Sequence, residues 1–374
     1  MSKQSITVTA GAAPSRRRIA PLVAAAILAA GAASDASAQS GVTIYGLLDV
    51  ALVGEGGGSS GSVTKISSGV GAGSRLGIRG SEELGNGVSA LFLMENGFQA
   101  DTGAMGQGNL LFGRQIYAGL RGRFGTVLLG RQYTPEYLVV VFADPFGAGY
   151  VGDAKNIIAI TGDAASRMNN TVKYQSPVLG GLTFELVAAP GEVSGDAAAG
   201  RQLGGAVAYR AGRLEVRAGY HDRNNDSATL KGTENARNAV LAAVYDFGGA
   251  KVHMLVGRNR GLNSAVLRNT ANPFGHAQAP TASTDSRDAL FGLTVPFGRH
   301  ALLASYLRKD DRTILNQDAS QVAVGYRYAL SKTTSLYTVY SRIDNRNGAS
   351  YTVGSSIDAG SGDRAWSAGI AQAF

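Results

Sequence analysis

No cysteine occurs anywhere in the 374 residues. That absence excludes a disulfide framework, a thiolate metal site and a catalytic thiol together. Histidine is almost as scarce: His221, His253, His276 and His300 are the whole supply, and no two stand at a spacing that would share a metal on a helix or hairpin. None is flanked by a nucleophile motif, so neither a Ser–His nor an Asp–His arrangement is legible and enzyme chemistry is not expected. Gly103 to Gly108 is glycine-rich but opens no helix, so it does not read as a phosphate loop. No cofactor or metal is expected. With only nine prolines the chain is not a proline-rich linker. Net charge is +8, too dilute for a nucleic-acid partner.

Long apolar runs are also missing. The one candidate lies near the start, where Arg16, Arg17 and Arg18 precede an apolar stretch from Ile19 to Ala33 and then Ala36-Ser37-Ala38. About fifteen apolar residues are too few for a spanning helix, which needs ~20. The small-x-small pattern marks a cleavage site, so residues 1–38 read as a signal peptide for the general secretory route and 39–374 as the mature domain. Removal of the leader lowers the charge to about +5. Nothing later could cross a bilayer as a helix, and the remaining way across is a closed β-barrel.

What is present fits that reading. Glycine supplies 52 residues, against ~7% in ordinary chains. The mature sequence runs in segments of about ten residues with period-two alternation. Val42, Ile44, Gly46, Leu48, Val50 and Leu52 share one face, opposite Thr43, Tyr45, Leu47 and Asp49. Leu214, Val216, Ala218 and Tyr220 alternate with Glu215, Arg217, Gly219 and His221. In a large barrel the apolar face meets lipid and the polar face meets water. Seven short glycine-bearing turns, such as Leu84-Gly85-Asn86-Gly87 and Phe297-Gly298-Arg299, alternate with eight long polar connections, from Gly54–Gly73 to Asp344–Gly362. Tight hairpins need the positive φ that glycine supplies. The count predicts an all-β, sixteen-stranded antiparallel transmembrane barrel with short periplasmic turns, long external loops and both termini on the short-turn side. The last segment places Trp366, Ala368, Ile370, Gln372 and Phe374 on one face, with the terminal aromatic at the membrane interface.

Five motifs in order then carry a family likeness: Val42-Thr43-Ile44-Tyr45-Gly46 with Asp49; Ser74-Arg75-Leu76-Gly77-Ile78-Arg79-Gly80-Ser81-Glu82-Glu83-Leu84-Gly85; Leu111-Phe112-Gly113-Arg114-Gln115; Phe124-Gly125-Thr126 leading to Leu129-Gly130-Arg131-Gln132; and Val172-Lys173-Tyr174 with Ser176-Pro177. In these the chain resembles the general trimeric porins of Gram-negative bacteria. The resemblance implies a homotrimer in the outer membrane, in contact with its lipid and lipopolysaccharide, passing small hydrophilic or anionic solutes passively. It implies that Phe374 is the signal read by barrel-assembly machinery. It also implies a third external loop folded inward, here between Gln132 and Arg167. Asp144-Pro145-Phe146-Gly147 resembles the family's Pro-Glu-Phe-Gly turn, with no glutamate between Pro145 and Phe146.

By motif, Arg75, Arg114 and Arg167 match the family's arginine ladder on the basic side of the constriction, with Arg79 beside them and Asp144 as the acidic side. Alternation independently turns Arg75, Arg79 and Asp49 to the lumen. Arg79 and Arg131 read as paired lumenal wall residues, and Glu136 and Asp153 are further acidic candidates in the loop. With three arginines kept and one acid missing, a bias towards anions is expected, because rows of arginine favour anions in a narrow pore. The alternatives are a substrate-specific porin for a small anionic solute or sugar, an outer-membrane enzyme, and a secreted β-sandwich. A heat-modifiable oligomer that needs detergent would separate the barrels from the last.

Overall fold

The computed structural model describes residues 41–160, 166–265 and 267–374; the leader and its cleavage site lie outside them. Alternating side chains and glycine turns produce a ladder of antiparallel strands: β1 (Gly41–Gly58), β2 (Gly61–Ser68), β3 (Arg75–Gly85), β4 (Val88–Gly97), β5 (Gln115–Gly122), β6 (Gly125–Tyr133), β7 (Arg167–Gln175), β8 (Leu182–Ala189) and β9 (Gln202–Ala211). The ladder continues through β10 (Leu214–Arg223), β11 (Ala236–Asp246), β12 (Lys251–Ala265), β13 (Ser283–Phe297), β14 (His300–Asp311), β15 (Ala319–Ala329), β16 (Thr334–Asn345) and β17 (Arg364–Ala373).

β2 pairs with the upper part of β1, from Val50↔Ser68 to Gly58↔Gly61, and β3 with its lower part, from Gly41↔Ser81 to Leu47↔Arg75. They are two halves of one stave, broken at residues 69–74. β17 returns to the other edge of β1, with Leu47↔Ala373 and Gly56↔Arg364 in register. The described strands therefore close into sixteen staves, as the turn count predicts, and no edge is left unpaired. Phe374 seals the seam: its N–H and carbonyl bond to the Gly46 carbonyl and N–H, and its ring occupies the space a Cβ on Gly46 would need.

The alternation partitions as expected, with Ile44, Leu241, Val256, Tyr306, Val322, Tyr340 and Trp366 exposed on the outer face. The tight turns also behave as read; Asn86 and Gly87 both take positive φ, the signature of a two-residue primed hairpin. One expectation fails. Gly54–Gly73 is not a loop: most of it is strand, capped only at residues 59–60. The Arg260–Ser286 connection is likewise strand at both ends. Above the lipid band the ladder continues with polar side chains on both faces, and the Lys65–Glu55 pair at 2.7 Å bridges two such strands.

Among the described residues one α-helix, α1 (Pro135–Ala143), follows β6 and turns into the barrel. Its start is well specified: Thr134 Oγ1 accepts the Tyr137 N–H at 3.2 Å, and Pro135 opens the first turn. The run Leu138–Phe142 is poor helix former material, so tertiary burial holds the helix. Val139, Val140 and Ala143 are fully buried against the inner wall of β10 and β11. Each such valine contributes about 1.5–3 kcal/mol on burial. Glycines allow the close approach: a Cβ on Gly219 would meet Val139 at 3.0 Å, one on Gly292 would meet Pro145 at 2.3 Å, and one on Gly325 would meet Phe146 at 2.8 Å.

Candidate functional site

The loop that carries α1 crosses the lumen, as the family likeness implies. Beyond the helix it turns at Asp144–Gly147, where the Gly147 N–H reaches the Asp144 carbonyl at 2.8 Å. It then reaches the far wall, where Tyr150 packs edge-on against Tyr337 of β16 at 4.8 Å and the Tyr150 N–H donates to the Val70 carbonyl at 2.6 Å.

Asp49 organises that contact. It faces inward, but its carboxylate accepts the Gly71 and Ala72 N–H groups at 3.1 and 3.2 Å and the Tyr337 hydroxyl at 2.7 Å. It therefore fixes the break between β2 and β3 and the landing place of the loop. Asp144 is also used up. Its oxygens accept the Phe146, Ala148 and Ala154 N–H groups, each at 3.0 Å, and the side chain is buried inside the loop's own tip. The structure therefore corrects the expected lumenal acid at Asp144: a tip with no following glutamate folds around this carboxylate and turns it away from the solvent.

Burial, reinforced by the neighbouring Asp153 and opposed by the three N–H donors, pushes the Asp144 carboxyl up to about 7. A carboxyl raised on folding stabilises the tip while protonated, so this contribution fades as pH rises from about 4 through 7. Current fluctuations from the loop should grow as pH rises from about 4 to 7 and level off above it; a noise spectrum unchanged across that range would contradict this.

The basic wall stands across the lumen. Arg75, at the start of β3, has no ion pair among the described residues. Arg114 precedes β5, where the backbone leaves the ladder and alternation no longer sets direction. Its Nε donates to Glu95 Oε1 at 2.8 Å, and its Nη2 donates to the Tyr133 hydroxyl at 2.9 Å. Arg167 shares that hydroxyl at 2.9 Å, donates from Nε to the Arg114 carbonyl at 2.8 Å and lies 4.6 Å above the Tyr133 ring. Arg79 lies lower on β3, 5.3 Å above the Tyr45 ring. Arg131 is not lumenal. It pairs with Ile116 and follows Leu129 by two, so it shares their outer face, where it donates to the Gly113 carbonyl at 2.9 Å.

Two cations not singled out from the sequence complete the site. Lys155 lies 3.2 Å from Asp153, and Arg268, from the loop after β12, lies 3.4 Å from it and donates to Asn156 Oδ1 at 2.8 Å. Arg75, Arg114, Lys155, Arg167 and Arg268 thus line one cavity of about 830 Å³, and among the described residues no Asp or Glu lines it. Glu95 and Asp153 sit behind the cations, and Glu136 is buried on the wall side of α1. Nothing in residue spacing marks Lys155 or Arg268; both depend on loop paths.

An inward loop facing an arginine wall inside a sixteen-stave barrel is one half of the identification. The other half is a match over residues 24–348 to the family model for Gram-negative porins. The chain belongs to that family. This porin is 31% identical to outer membrane porin protein 32 of Delftia acidovorans, over 87% of this chain and 90% of that one. It is 30% identical to an outer membrane porin protein of Bordetella pertussis, over 87% of this chain and 94% of that one. Among solved structures it is similar to the anion-selective porin from Comamonas acidovorans, with a TM-score of 0.74, 26% identity, and 90% and 100% of the two chains covered. It is therefore an outer-membrane channel and not an enzyme. The family is typically trimeric.

Proposed function

We propose that this porin is a passive diffusion channel for small hydrophilic solutes with a preference for anions. The observation that carries this reading is the charge of the constriction, with five cations lining it and no carboxylate among the described residues. Glu95 and Asp153 lie behind them, and an excess of positive charge remains. Charges confined between low-dielectric walls raise the local concentration of counter-ions, and an arginine-lined pore favours anions. The anion selectivity of the Comamonas acidovorans porin points the same way.

Trimer assembly is the companion reading. Its support is Arg131, which sits on the outer face within a shallow cleft lined by Phe92, Met94, Leu111 and Phe112. Arg131 itself is buried there, so the exposed apolar surface around it is what a neighbouring subunit would cover. Phe374, 65% exposed on the outer face of the last strand, fits a signal for assembly machinery, and lipopolysaccharide is the expected outer-leaflet neighbour. The test is a planar bilayer under a potassium chloride gradient. Conductance steps in threes with a reversal potential on the chloride side are expected; a potassium-side potential would overturn the anion reading.

A further inference from the structure

The wall facing Arg75 carries two aliphatic side chains of α1, Leu138 and Val141, beside Tyr137 and Lys155. Arg75 stands on the second stave of the sixteen, while α1 lies along β10 and β11, the ninth and tenth staves and so diametrically opposite. The helix buries Val139, Val140 and Ala143 in that wall. It turns Leu138 and Val141 into the cavity that the arginines line. Its one acid, Glu136, is buried on the far side beside Gly219. A solute in the eyelet therefore meets guanidinium groups on one side and aliphatic side chains on the other.

We propose that the eyelet is a binding subsite for organic anions that carry one carboxylate on a compact apolar body, such as an aryl or branched aliphatic carboxylate. The inference rests on the anion-channel reading and narrows it to a solute class. The carboxylate is held by Arg75, which has no ion pair among the described residues and offers a planar, two-point contact; Arg167, whose three nitrogens donate to the Arg114 carbonyl, Ser166 Oγ and the Tyr133 hydroxyl, adds its charge beside it. The apolar body lies against Leu138 and Val141, where removing it from water favours binding in proportion to the area covered. An inorganic anion uses only half of this surface. A hydroxylated anion of equal size must lose water from its hydroxyl groups against Leu138 and Val141, with no partner for them there.

The probes are benzoate, and glucuronate as a polar carboxylate of similar size, each added to purified wild-type channels carrying a chloride current in a planar bilayer. Benzoate should interrupt the current at a concentration roughly tenfold below that of glucuronate. Leu138→Asn with Val141→Thr should raise the benzoate half-blocking concentration about tenfold, and should leave the glucuronate block as strong or stronger. Arg75→Ala should weaken the block by both solutes. Retained heat-modifiable mobility and unit conductance identify variants that have folded. Equal block by benzoate and glucuronate in the wild type, or a Leu138/Val141 variant with unaltered benzoate block, would overturn the proposal while leaving the anion reading intact. A reversal potential on the potassium side in the same membranes would overturn both.

Discussion

Arg114→Ala should shift the reversal potential towards the cation side by more than Arg75→Ala does, although each removes one positive charge. The difference lies in what stands behind each arginine. Arg75 has no ion pair among the described residues. Arg114 covers Glu95, whose carboxylate accepts its Nε at 2.8 Å and the Tyr45 hydroxyl at 2.8 Å. Truncating Arg114 thus removes a cation and also uncovers an anion. A unit charge roughly 8 Å from the ion path is worth about 0.5 kcal/mol at the dielectric of water, and about 2 kcal/mol at an effective value of ~20. That spans about two-fold to about thirty-fold in the local concentration of each ion, in opposite directions for anions and cations. Arg114→Ala combined with Glu95→Gln removes a pair of zero net charge and should return most of the way to the wild-type value. Equal shifts from the two single variants would show that Glu95 never meets the permeating ions.

The second large effect concerns how the inward loop is held. Its returning limb is anchored at Ala159, whose N–H donates to Asp288 Oδ2 at 3.2 Å. That carboxylate is paired with Lys309 at 2.6 Å, and both side chains are 1% exposed. Asn259 Nδ2 adds a donor at 2.8 Å. Removing one partner of a buried pair leaves an uncompensated charge and costs about 3–5 kcal/mol, whereas removing both charges is often close to neutral. Lys309→Met should therefore lower the temperature of heat-modified unfolding in detergent by several degrees and make the current noisy. Lys309→Met with Asp288→Asn should recover most of the stability, since an amide oxygen remains for Ala159. A double variant no more stable than the single one would place the effect in lost packing of the lysine stem instead.

Much of the barrel was legible because it follows from two local rules. Period-two alternation assigns a face to each residue, as it does for Val42 to Leu52, and glycine pairs such as Gly85 and Gly87 mark the reversals. Both rules weaken above the lipid band. There the ladder in β2 continues through Gly61-Ser62-Val63-Thr64-Lys65 with no apolar face, so an apolar pattern places a loop where hydrogen bonding makes a strand. Arg131 shows the same limit from the other direction: its motif invites a lumenal reading, but pairing with Ile116 turns it outward. At the constriction, the arginines were found by motif. Their charge balance was not, because it depends on which carboxylates the loop's own backbone consumes. Asp144 and Asp49 look like free acids in the sequence, and each is occupied by backbone N–H groups that only the folded loop brings near. The run Leu138-Val139-Val140-Val141-Phe142 was not singled out as a lumenal helix, and its direction depends on the glycines of a wall more than 70 residues further along the chain.

The most direct test of the central claim, that the arginine wall is where anions are concentrated, is a diffraction experiment on the crystallised porin soaked in rubidium bromide, with anomalous maps collected at both absorption edges. Bromide peaks beside Arg75 and Arg167, with no rubidium in the same cavity, are the predicted result. Rubidium in the eyelet, or bromide spread evenly through the lumen with no peak at these residues, would contradict the account.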